Sequence, residues 1–270
     1  MRNIKLTLAY DGTDFAGFQV QPGRRTVQGE LTAALEKILG ERVGVIGAGR
    51  TDAGVHARAQ VANFQTAARL PVERLPAALN SCLPPDITVW RAEEVPAGFH
   101  ARYDARGKTY RYLIDRGPHR APFLRRYSWH LTLPLDAAAM RAAAAPLCGE
   151  HDFSSFCAAG SASPNHVRTL QRLAVGEEGD LLLVEAKADG FLYKMVRNLV
   201  GTLVEVGRGA LAAEDVERIL AGRDRRLAGP TAPPQGLILW EVEYGPGGTN
   251  AETPGGVALT PPWACVKITL

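Results

Sequence analysis

Residue patterns that bind metals or form disulfide networks are scarce in this chain of 270 residues. None of the six histidines stands at metal-ligand spacing from another histidine or a cysteine, so we expect no zinc or iron site. The four cysteines contain no Cys-x-x-Cys pair: Cys82, Cys148, Cys157 and Cys265. In a long chain without a secretion signal, such cysteines are expected to be reduced and structural or incidental.

Long apolar runs and targeting signals are also missing from the sequence. No stretch of about 18 apolar residues occurs, so the sequence predicts no membrane-spanning helix. The first residues, Met1 to Leu6, lead directly into a strand-like alternation and lack the apolar centre of a secretion signal. With 46% hydrophobic and 22% charged residues, the composition is typical of a folded globular protein, and we expect a cytoplasmic one.

The net charge is only +3, but the type of positive charge is informative. Arginines supply 25 of the 31 basic side chains, and lysines supply six. A guanidinium group binds phosphate through two parallel hydrogen bonds, so an excess of arginine is compatible with a nucleic-acid partner. The base composition of a genome explains the same excess equally well, and the totals alone do not decide between the two.

Basic residues are concentrated in residues 102–126, which we call the basic stretch and which contain only two acidic side chains. Its eight basic members are Arg102, Arg106, Lys108, Arg111, Arg116, Arg120, Arg125 and Arg126. Aromatic side chains alternate with these charges. A surface of this kind can follow a phosphate backbone and stack bases, which favours a polyanion partner over a merely solvated strand and loop.

The spacing of apolar residues predicts a mixed fold. Period-two alternation predicts strands over 3–10, 42–47, 59–65, 87–95, 108–115, 167–176, 181–188 and 237–244. Helical spacing predicts helices from Thr26 to Gly40, from Pro71 to before Pro84, and over 136–147, 191–203 and 214–220. This pattern indicates the α+β class: a mixed, largely antiparallel sheet with helices packed against it.

The order of these elements is similar in the two halves of the chain, which predicts two related α/β subdomains, 1–105 and 106–245. Between Gly245 and Pro262, half of the positions are glycine or proline. Residues 246–270 are therefore expected to form an irregular extension.

A glycine-rich loop between two predicted strands, Gly47 to Ala57, carries both an arginine and an aspartate. It is not a dinucleotide-binding fingerprint, because position 52 is an aspartate and a strand follows. It is not a phosphate-binding P-loop either, because Val55 stands where that motif needs lysine. What remains is a tight loop that presents Arg50 and Asp52 two residues apart.

This pair of charges is compatible with catalysis. A carboxylate beside a guanidinium stays ionised, and an ionised carboxylate can act as a nucleophile or a base without any cofactor. The alternative is a structural Asx-turn, in which Asp52 accepts hydrogen bonds from nearby amides of the Thr-Asp-Ala-Gly sequence. The spacing alone leaves both interpretations open.

Seven short segments match, in order and spacing, the motifs of one known enzyme family. The segment Gly49-Arg50-Thr51-Asp52-Ala53-Gly54-Val55-His56 resembles the signature of the TruA family, the tRNA pseudouridine synthases I. The six further segments are residues 10–19, 26–31, 99–102, 108–112, 149–153 and 191–198. Each segment alone is weak, but the combination is highly specific and covers about residues 3–245.

The resemblance implies a fold of two α/β subdomains that share a central mixed sheet, with a basic cleft between them. It implies a homodimer that converts uridine to pseudouridine at positions 38, 39 and 40 of the tRNA anticodon stem-loop. The family works without a metal or cofactor, so none is expected here.

Carried over residue by residue, the resemblance assigns the role of nucleophile to Asp52. The reaction breaks the bond between uracil N1 and the ribose and remakes it through C5. Attack at uracil C6, attack at ribose C1′ and a glycal route all fit the sequence equally well. Arg50 would pair with Asp52 or fill the space of the displaced base, unless it forms only a surface salt bridge.

Two further site residues follow from the resemblance. Tyr110 matches the active-site tyrosine of the family, whose ring can stack on the target uracil and whose hydroxyl can relay the C5 proton. Without the resemblance, a core aromatic would be the preferred interpretation. Arg197 interrupts an apolar helix and therefore needs an anionic partner, which Asp52, a phosphate or a structural acid would provide.

Extruding a paired base from an RNA stem costs a few kcal/mol, and phosphate contacts must supply that energy. The expected phosphate-binding residues are basic and lie in three regions of the sequence. They are Arg24 and Arg25 in the early loop, His56 and Arg58 beside the catalytic loop, and the basic stretch, including Arg102 and Arg126.

Two other functions are compatible with the same features. An RNA-binding module that has lost catalysis would show the same charge and would tolerate Asp52→Asn. A hydrolase would use Asp52 with a second acid and would release a free base. Asp11, Asp14 and Asp152 lie in matched segments and are the candidates for that second acid.

Overall fold

The computed structural model describes residues 1–161 and 163–245. Within them the chain forms two compact units, the first comprising Met1–Arg106 with residues 238–245 and the second comprising Gly107–Leu237. The predicted extension, with Cys265, lies outside the described residues. In the described part of the chain, no helix is long and apolar enough to cross a membrane.

Ten strands and five α-helices make up the regular structure of the described residues. The strands are β1 (Arg2–Tyr10), β2 (Ile46–Gly47), β3 (His56–Thr66), β4 (Ile87–Val95), β5 (Ala105–Asp115), β6 (Trp129–His130), β7 (Gly149–Asp152), β8 (Val167–Glu178), β9 (Leu181–Ala188) and β10 (Leu237–Tyr244). The helices are α1 (Val27–Leu39), α2 (Leu75–Asn80), α3 (Ala137–Ala144), α4 (Met195–Gly207) and α5 (Asp215–Gly222).

In the first unit, the strands follow the order β4-β1-β3-β10, and β2 adds to β3. All of these pairs are antiparallel except β3 with β10. The central strand β1 is buried along its length from Asn3 onward, because β3 and β4 flank it on both sides. Lys5 lies within this buried strand, and an ion pair of 3.0 Å with Glu93 compensates its charge.

In the second unit, the strands β5-β9-β8-β7 form an antiparallel array, and β6 adds to β5 in parallel. Helix α3 packs against α4 and β8. Helix α4 is buried over most of its length, and its glycine at 201 allows a close approach of the loop that follows α5. An ideal Cβ at Gly201 would lie 1.7 Å from the carbonyl oxygen of Pro230, so only glycine fits there.

The structure confirms the predicted α+β class with mostly antiparallel strands. Helix α1 begins after Thr26, whose hydroxyl accepts from the amide of Gly29, and ends at Gly40 in the left-handed region, as predicted. The strand predicted over 42–47 is reduced to Ile46–Gly47. The helix predicted over 136–147 ends at Ala144 and continues as a 3₁₀ turn that accommodates Pro146.

The boundary between the units falls between Arg106 and Gly107. Strand β10 clusters with the first unit although it follows the second in sequence, because it pairs with β3. A division of the chain into two consecutive segments therefore separates β10 from the unit in which it lies. The shared central sheet and the basic cleft between the halves stay predictions.

Candidate active site

The loop that carries Asp52 lies in the first unit, between β2 and β3, with the Asp52 side chain half-buried. The carbonyl of Asp52 accepts a hydrogen bond of 3.1 Å from the amide of Val55, which closes a tight turn. The preceding carbonyl, of Thr51, accepts one of 3.1 Å from the amide of Phe18. Backbone bonds on both sides of Asp52 therefore fix the path of the loop.

A glycine in the early loop makes this approach of two backbones feasible. Gly17 has a φ of +104°, and a Cβ built on it would lie 2.7 Å from the carbonyl oxygen of Thr51. A side chain at position 17 would push the loop before Asp52 outward. The match of residues 10–19 with the family thus has a steric reason at Gly17.

A buried tyrosine holds the same loop from the side of β1. The Tyr10 hydroxyl lies 2.8 Å from the Thr51 hydroxyl, and the Gln60 amide donates to Tyr10 at 3.3 Å and to the Gly49 carbonyl at 3.0 Å. Burial raises the pKa of Tyr10 to about 12, although the hydrogen bonds with Thr51 and Gln60 oppose the increase. The phenol therefore stays protonated near neutral pH.

Asp11 and His56 form a second polar group next to this loop. His56 is only 2% exposed, and its Nδ1 lies 3.0 Å from the amide nitrogen of Gly12 and 3.2 Å from the Asp11 carboxylate. Nδ1 accepts from Gly12 when unprotonated and donates to Asp11 when it carries the proton. Burial tends to raise the pKa of Asp11, but hydrogen bonds from His56 and Thr13 outweigh it and lower that pKa well below its usual value.

The predicted phosphate contact of His56 is not supported, because the ring is buried and engaged within the protein. Its role in the structure is to join the start of β3 to the turn that follows β1. Asp11 is engaged in the same group, whereas Asp14 is exposed. Asp152, in the second unit, accepts from the Ser154 hydroxyl at 2.6 Å and lies 3.3 Å from Arg223.

Arg50 extends into solvent from the exposed side of the loop. In the part of the chain that the structure describes, no ion pair joins Arg50 to Asp52, so the expectation that the two side chains pair is not met here. The other predicted role of Arg50, filling the space of a displaced base, requires an exposed side chain, and Arg50 is exposed.

The two arginines of the early loop differ sharply. Arg25 forms two hydrogen bonds with Asp86, of 2.7 and 2.8 Å, and one of 3.0 Å with Glu30, and it stacks 4.1 Å above the ring of Phe15. The contacts with Asp86 and Glu30 raise the pKa of Arg25 above its usual range. Arg24 is exposed and forms no ion pair with any described residue. Only Arg24 therefore suits a phosphate contact.

The remaining predicted phosphate-binding residues are accessible to different degrees. Arg58 is half-buried, with its guanidinium carbon 4.5 Å from the centre of the Trp240 ring. Arg102 is exposed beside Tyr103, whose ring stacks on that of His100 at 4.2 Å. Arg126, in the second unit, is exposed as well.

Tyr110 and Arg197 both lie in the second unit, on β5 and α4. Tyr110 is only 7% exposed, and its ring meets that of Phe191 edge to face at 5.2 Å. Phe191 is therefore the aromatic neighbour of Tyr110 in this unit. The neighbouring Tyr112 is fully buried and donates to the carbonyl of Pro233 at 2.8 Å.

A buried polar network surrounds the base of Arg197. The Nε of Arg197 donates to the carbonyl of Ala232 at 2.7 Å. The next residue, Asn198, is fully buried, and its side-chain oxygen accepts from Thr231 at 2.6 Å and from Arg225 at 3.0 Å. This network holds the loop that contacts Arg197 against α4, so it fixes the direction of the Arg197 guanidinium.

Four residues of these networks were not predicted as site residues from the sequence: Tyr10, Gln60, Asn198 and Thr231. A signal was present, because Tyr10 and Asn198 lie within matched segments, and polar residues at the buried positions of a strand or helix need partners. In the described residues, no group of three or more His, Cys, Asp or Glu side chains is placed to hold a metal ion.

Comparison with known proteins decides the family. A family model described as tRNA pseudouridine synthase matches residues 7–104 and 143–245. The chain belongs to the tRNA pseudouridine synthase family. Members of this family isomerise uridine to pseudouridine, so the chain is an isomerase, and neither the hydrolase nor the module without catalysis is supported.

The alignments of this chain with individual relatives span nearly the whole length of those proteins. The chain is 56% identical over 243 residues to the tRNA pseudouridine synthase A of Moorella thermoacetica, and the aligned region spans 89% of this chain and 99% of that protein. It is 49% identical over 257 residues to that of Myxococcus xanthus, spanning 95% and 97%. A solved Cbf5-Nop10-Gar1 complex matches with a TM-score of 0.36 and 15% identity over 74% of this chain and 45% of that chain, a likeness too slight to interpret.

Proposed function

We propose that this tRNA pseudouridine synthase acts at positions 38, 39 and 40 of the anticodon stem-loop, with Asp52 as its nucleophile and without a cofactor. The observation that carries the proposal is the fixed position of Asp52. Hydrogen bonds to Phe18, Tyr10 and Gln60 hold the loop, and Asp52 as a residue is only half-buried. A nucleophile has to be rigidly placed and still accessible to its substrate.

The reaction conserves atoms. The N1–C1′ bond of uridine breaks, the base rotates, a C5–C1′ bond forms, and the C5 proton leaves to solvent while N1 gains a proton. An ionised carboxylate can add to uracil C6, add to ribose C1′ or stabilise a cationic sugar on the way to a glycal. All three routes use the carboxylate of Asp52.

The other site residues have supporting roles in this proposal. Arg50 is exposed beside the nucleophile and fills the space that the extruded base leaves in the stem. Tyr110 stacks on the target uracil, and its hydroxyl relays the C5 proton. Arg197 provides a fixed positive charge for an anionic group of the site or the substrate.

Substrate RNA binds through exposed arginines. Arg24, Arg102 and Arg126 are the candidates, because each extends into solvent from a loop or turn. Arg58 contacts the RNA less than these three arginines do, because its guanidinium lies over the ring of Trp240. We further propose that the enzyme acts in the cytoplasm as a homodimer, as the resemblance implies.

The decisive experiment follows the C5 proton. Transcribed tRNA carrying tritium at C5 of uridine should release tritium to water with the wild-type enzyme, and mapping should place pseudouridine in the anticodon stem-loop. Asp52→Asn should release none above background while binding the same tRNA within several-fold of wild type. Asp14→Asn is the matched control, since Asp14 is an exposed acid on the neighbouring early loop, and it should retain wild-type release.

Tritium release by Asp52→Asn would remove Asp52 from the mechanism. Pseudouridine found only outside the anticodon stem-loop would overturn the proposed positions while leaving the family activity intact. Loss of release together with loss of tRNA binding in Asp52→Asn would show a folding or binding defect instead, and circular dichroism of the variant separates these two causes.

A further inference from the structure

An aromatic side chain in the second unit is almost completely exposed. Phe123 is 83% accessible, and among the large hydrophobic side chains of the described residues only Met1, at 86%, is more exposed. A phenylalanine ring in water gains nothing from burial, and aromatic side chains are enriched on surfaces that bind a partner. The residue lies in the loop of residues 117–127, between β5 and β6.

The 117–127 loop is tied to the body of its unit at both ends. At its start, the carboxylate of Asp115, 3% exposed, accepts from the amide of Gly117 at 3.0 Å, and His130 lies 2.8 Å from the Gly117 carbonyl. Just after its end, Trp129 of β6 pairs with Ile114 of β5, and the Leu131 amide donates to the Asp115 carbonyl at 2.8 Å. The exposure of Phe123 is thus a feature of an anchored turn.

The charge around Phe123 has one sign. The 117–127 loop contains no acidic residue, and Arg120 and Arg125 are exposed on either side of Phe123 without an ion pair to any described residue. Arg116, just before the loop, is committed to Glu177 at 3.2 Å. An exposed ring flanked by two available guanidinium groups matches the arrangement that binds single-stranded nucleic acid, in which a base stacks and phosphates pair with arginine.

We infer that Phe123 stacks on an unpaired base of the substrate tRNA while Arg120 and Arg125 bind the flanking phosphates. This inference rests on the proposed function for its partner and extends it by a contact surface in the second unit. A second copy of the chain is disfavoured as the occupant. A second copy would have to bring acidic groups of another surface against Arg120 and Arg125, whereas a phosphate backbone supplies that negative charge directly.

The test compares binding by the full-length enzyme and four variants to an unmodified tRNA transcript. Phe123→Ala should weaken binding by about 5- to 150-fold, the range for removing one base-stacking aromatic, and should raise KM while leaving kcat at saturating tRNA unchanged. Phe123→Trp should bind as well as wild type, because it keeps a stacking ring. Arg125→Ala should also weaken binding and reduce the dependence on salt.

Leu133→Ala is the matched control, since Leu133 is another exposed apolar side chain of the same unit, 48% accessible, outside the basic stretch. It should bind tRNA as wild type does. The inference would be overturned if Phe123→Ala bound tRNA within twofold of wild type. It would also be overturned if light scattering showed a different oligomeric mass for Phe123→Ala, because the surface would then belong to a contact with a second copy. The binding readout does not require catalysis, so an absence of pseudouridine with wild type would refute the proposed function separately.

Discussion

The phenol oxygen of Tyr10 lies 2.8 Å from the hydroxyl oxygen of Thr51, the residue immediately before Asp52. This contact connects the buried strand β1 to the loop that carries the proposed nucleophile. Because burial raises the pKa of Tyr10 to about 12, the phenol remains a neutral hydroxyl that can share this bond throughout the neutral range. Tyr10 is therefore a positioning residue, and it acts on the reaction through Thr51.

Tyr10→Phe should lower kcat for pseudouridine formation by up to about tenfold and leave the Kd for tRNA unchanged. The variant removes a partner of the Thr51 hydroxyl and of the Gln60 amide, so the loop before Asp52 loses one of the contacts that position it. One net hydrogen bond contributes about 0.5–1.5 kcal/mol, and the upper end of this range corresponds to a loss of about tenfold in rate. Single-turnover kinetics and filter binding measure the two quantities.

Tyr244→Phe is the control for this variant. Tyr244 is buried in the same unit and donates to the Ala101 carbonyl at 2.7 Å, away from the loop. Both variants should lose about 1 kcal/mol of stability, but only Tyr10→Phe should lose rate. Equal rates for the two variants would contradict a positioning role for Tyr10.

Arg24 and Arg25 should respond differently to substitution, although they are neighbours in sequence. Arg24→Ala should weaken tRNA binding several-fold and lower the slope of log Kd against log salt by about 1, because an exposed arginine that contacts one phosphate releases about one counterion. Arg25→Ala should reduce the melting temperature, because Arg25 bridges Asp86 and Glu30. Salt titrations of tRNA binding test the Arg24 prediction, and thermal unfolding tests the Arg25 prediction. A larger binding defect in Arg25→Ala than in Arg24→Ala would contradict the assignment of the phosphate contact to Arg24.

This pair also shows how far the sequence alone could lead. Both arginines fit a phosphate-binding role by position and chemistry, and only the three-dimensional placement of Asp86 removes Arg25 from that role. The acid lies 61 residues away in the sequence, and no local pattern reports such a partner. His56 is similar: it lies within the family-like signature, but its burial depends on how β3 packs against the turn after β1.

Elements with local signals could be predicted closely. Thr26 and Gly40 mark the ends of α1 because capping depends on neighbouring residues only, and the alternation over 87–95 and 237–244 predicted β4 and β10 to the residue. The segment 42–47 fails as a strand because its first four residues find no hydrogen-bonding neighbour strand, although they alternate. Strand length is set by the partner strand, which a local pattern does not contain.

Two buried threonines provide a matched test of the polar network beside Arg197. The Thr202 hydroxyl donates to the Asn198 carbonyl at 2.8 Å and accepts from the Gly229 amide at 2.9 Å. Thr202→Val should cost about 1–3 kcal/mol, because it leaves a buried amide without an acceptor. Thr7→Val should be neutral or stabilising by up to about 1 kcal/mol, because the Thr7 hydroxyl is buried without a hydrogen-bond partner among the described residues. Urea unfolding measures the free energy of unfolding of both variants. Equal losses in the two would contradict the role of the Thr202 hydroxyl in this network.

The stability of the enzyme in acid should depend on Asp11. Its pKa in the folded protein is lowered from the ordinary value of 3.8, because hydrogen bonds from His56 and Thr13 outweigh the effect of burial. A carboxyl with a lowered pKa stabilises the fold at pH values above its ordinary pKa, and this contribution is lost as the pH falls below that value. Asp11→Asn should therefore be less stable than wild type near neutral pH, and the difference should shrink below about pH 4.

Chemical unfolding of wild type and Asp11→Asn between about pH 3 and pH 7 measures this difference. Other acids with lowered pKa values, such as Asp152, make both stability curves fall in acid, but they cancel when one curve is subtracted from the other. Asp14→Asn, which changes an exposed acid three residues away, should show no such pH-dependent difference. A constant gap between wild type and Asp11→Asn at all pH values would mean that the ionisation of Asp11 does not contribute to stability, which would contradict this prediction.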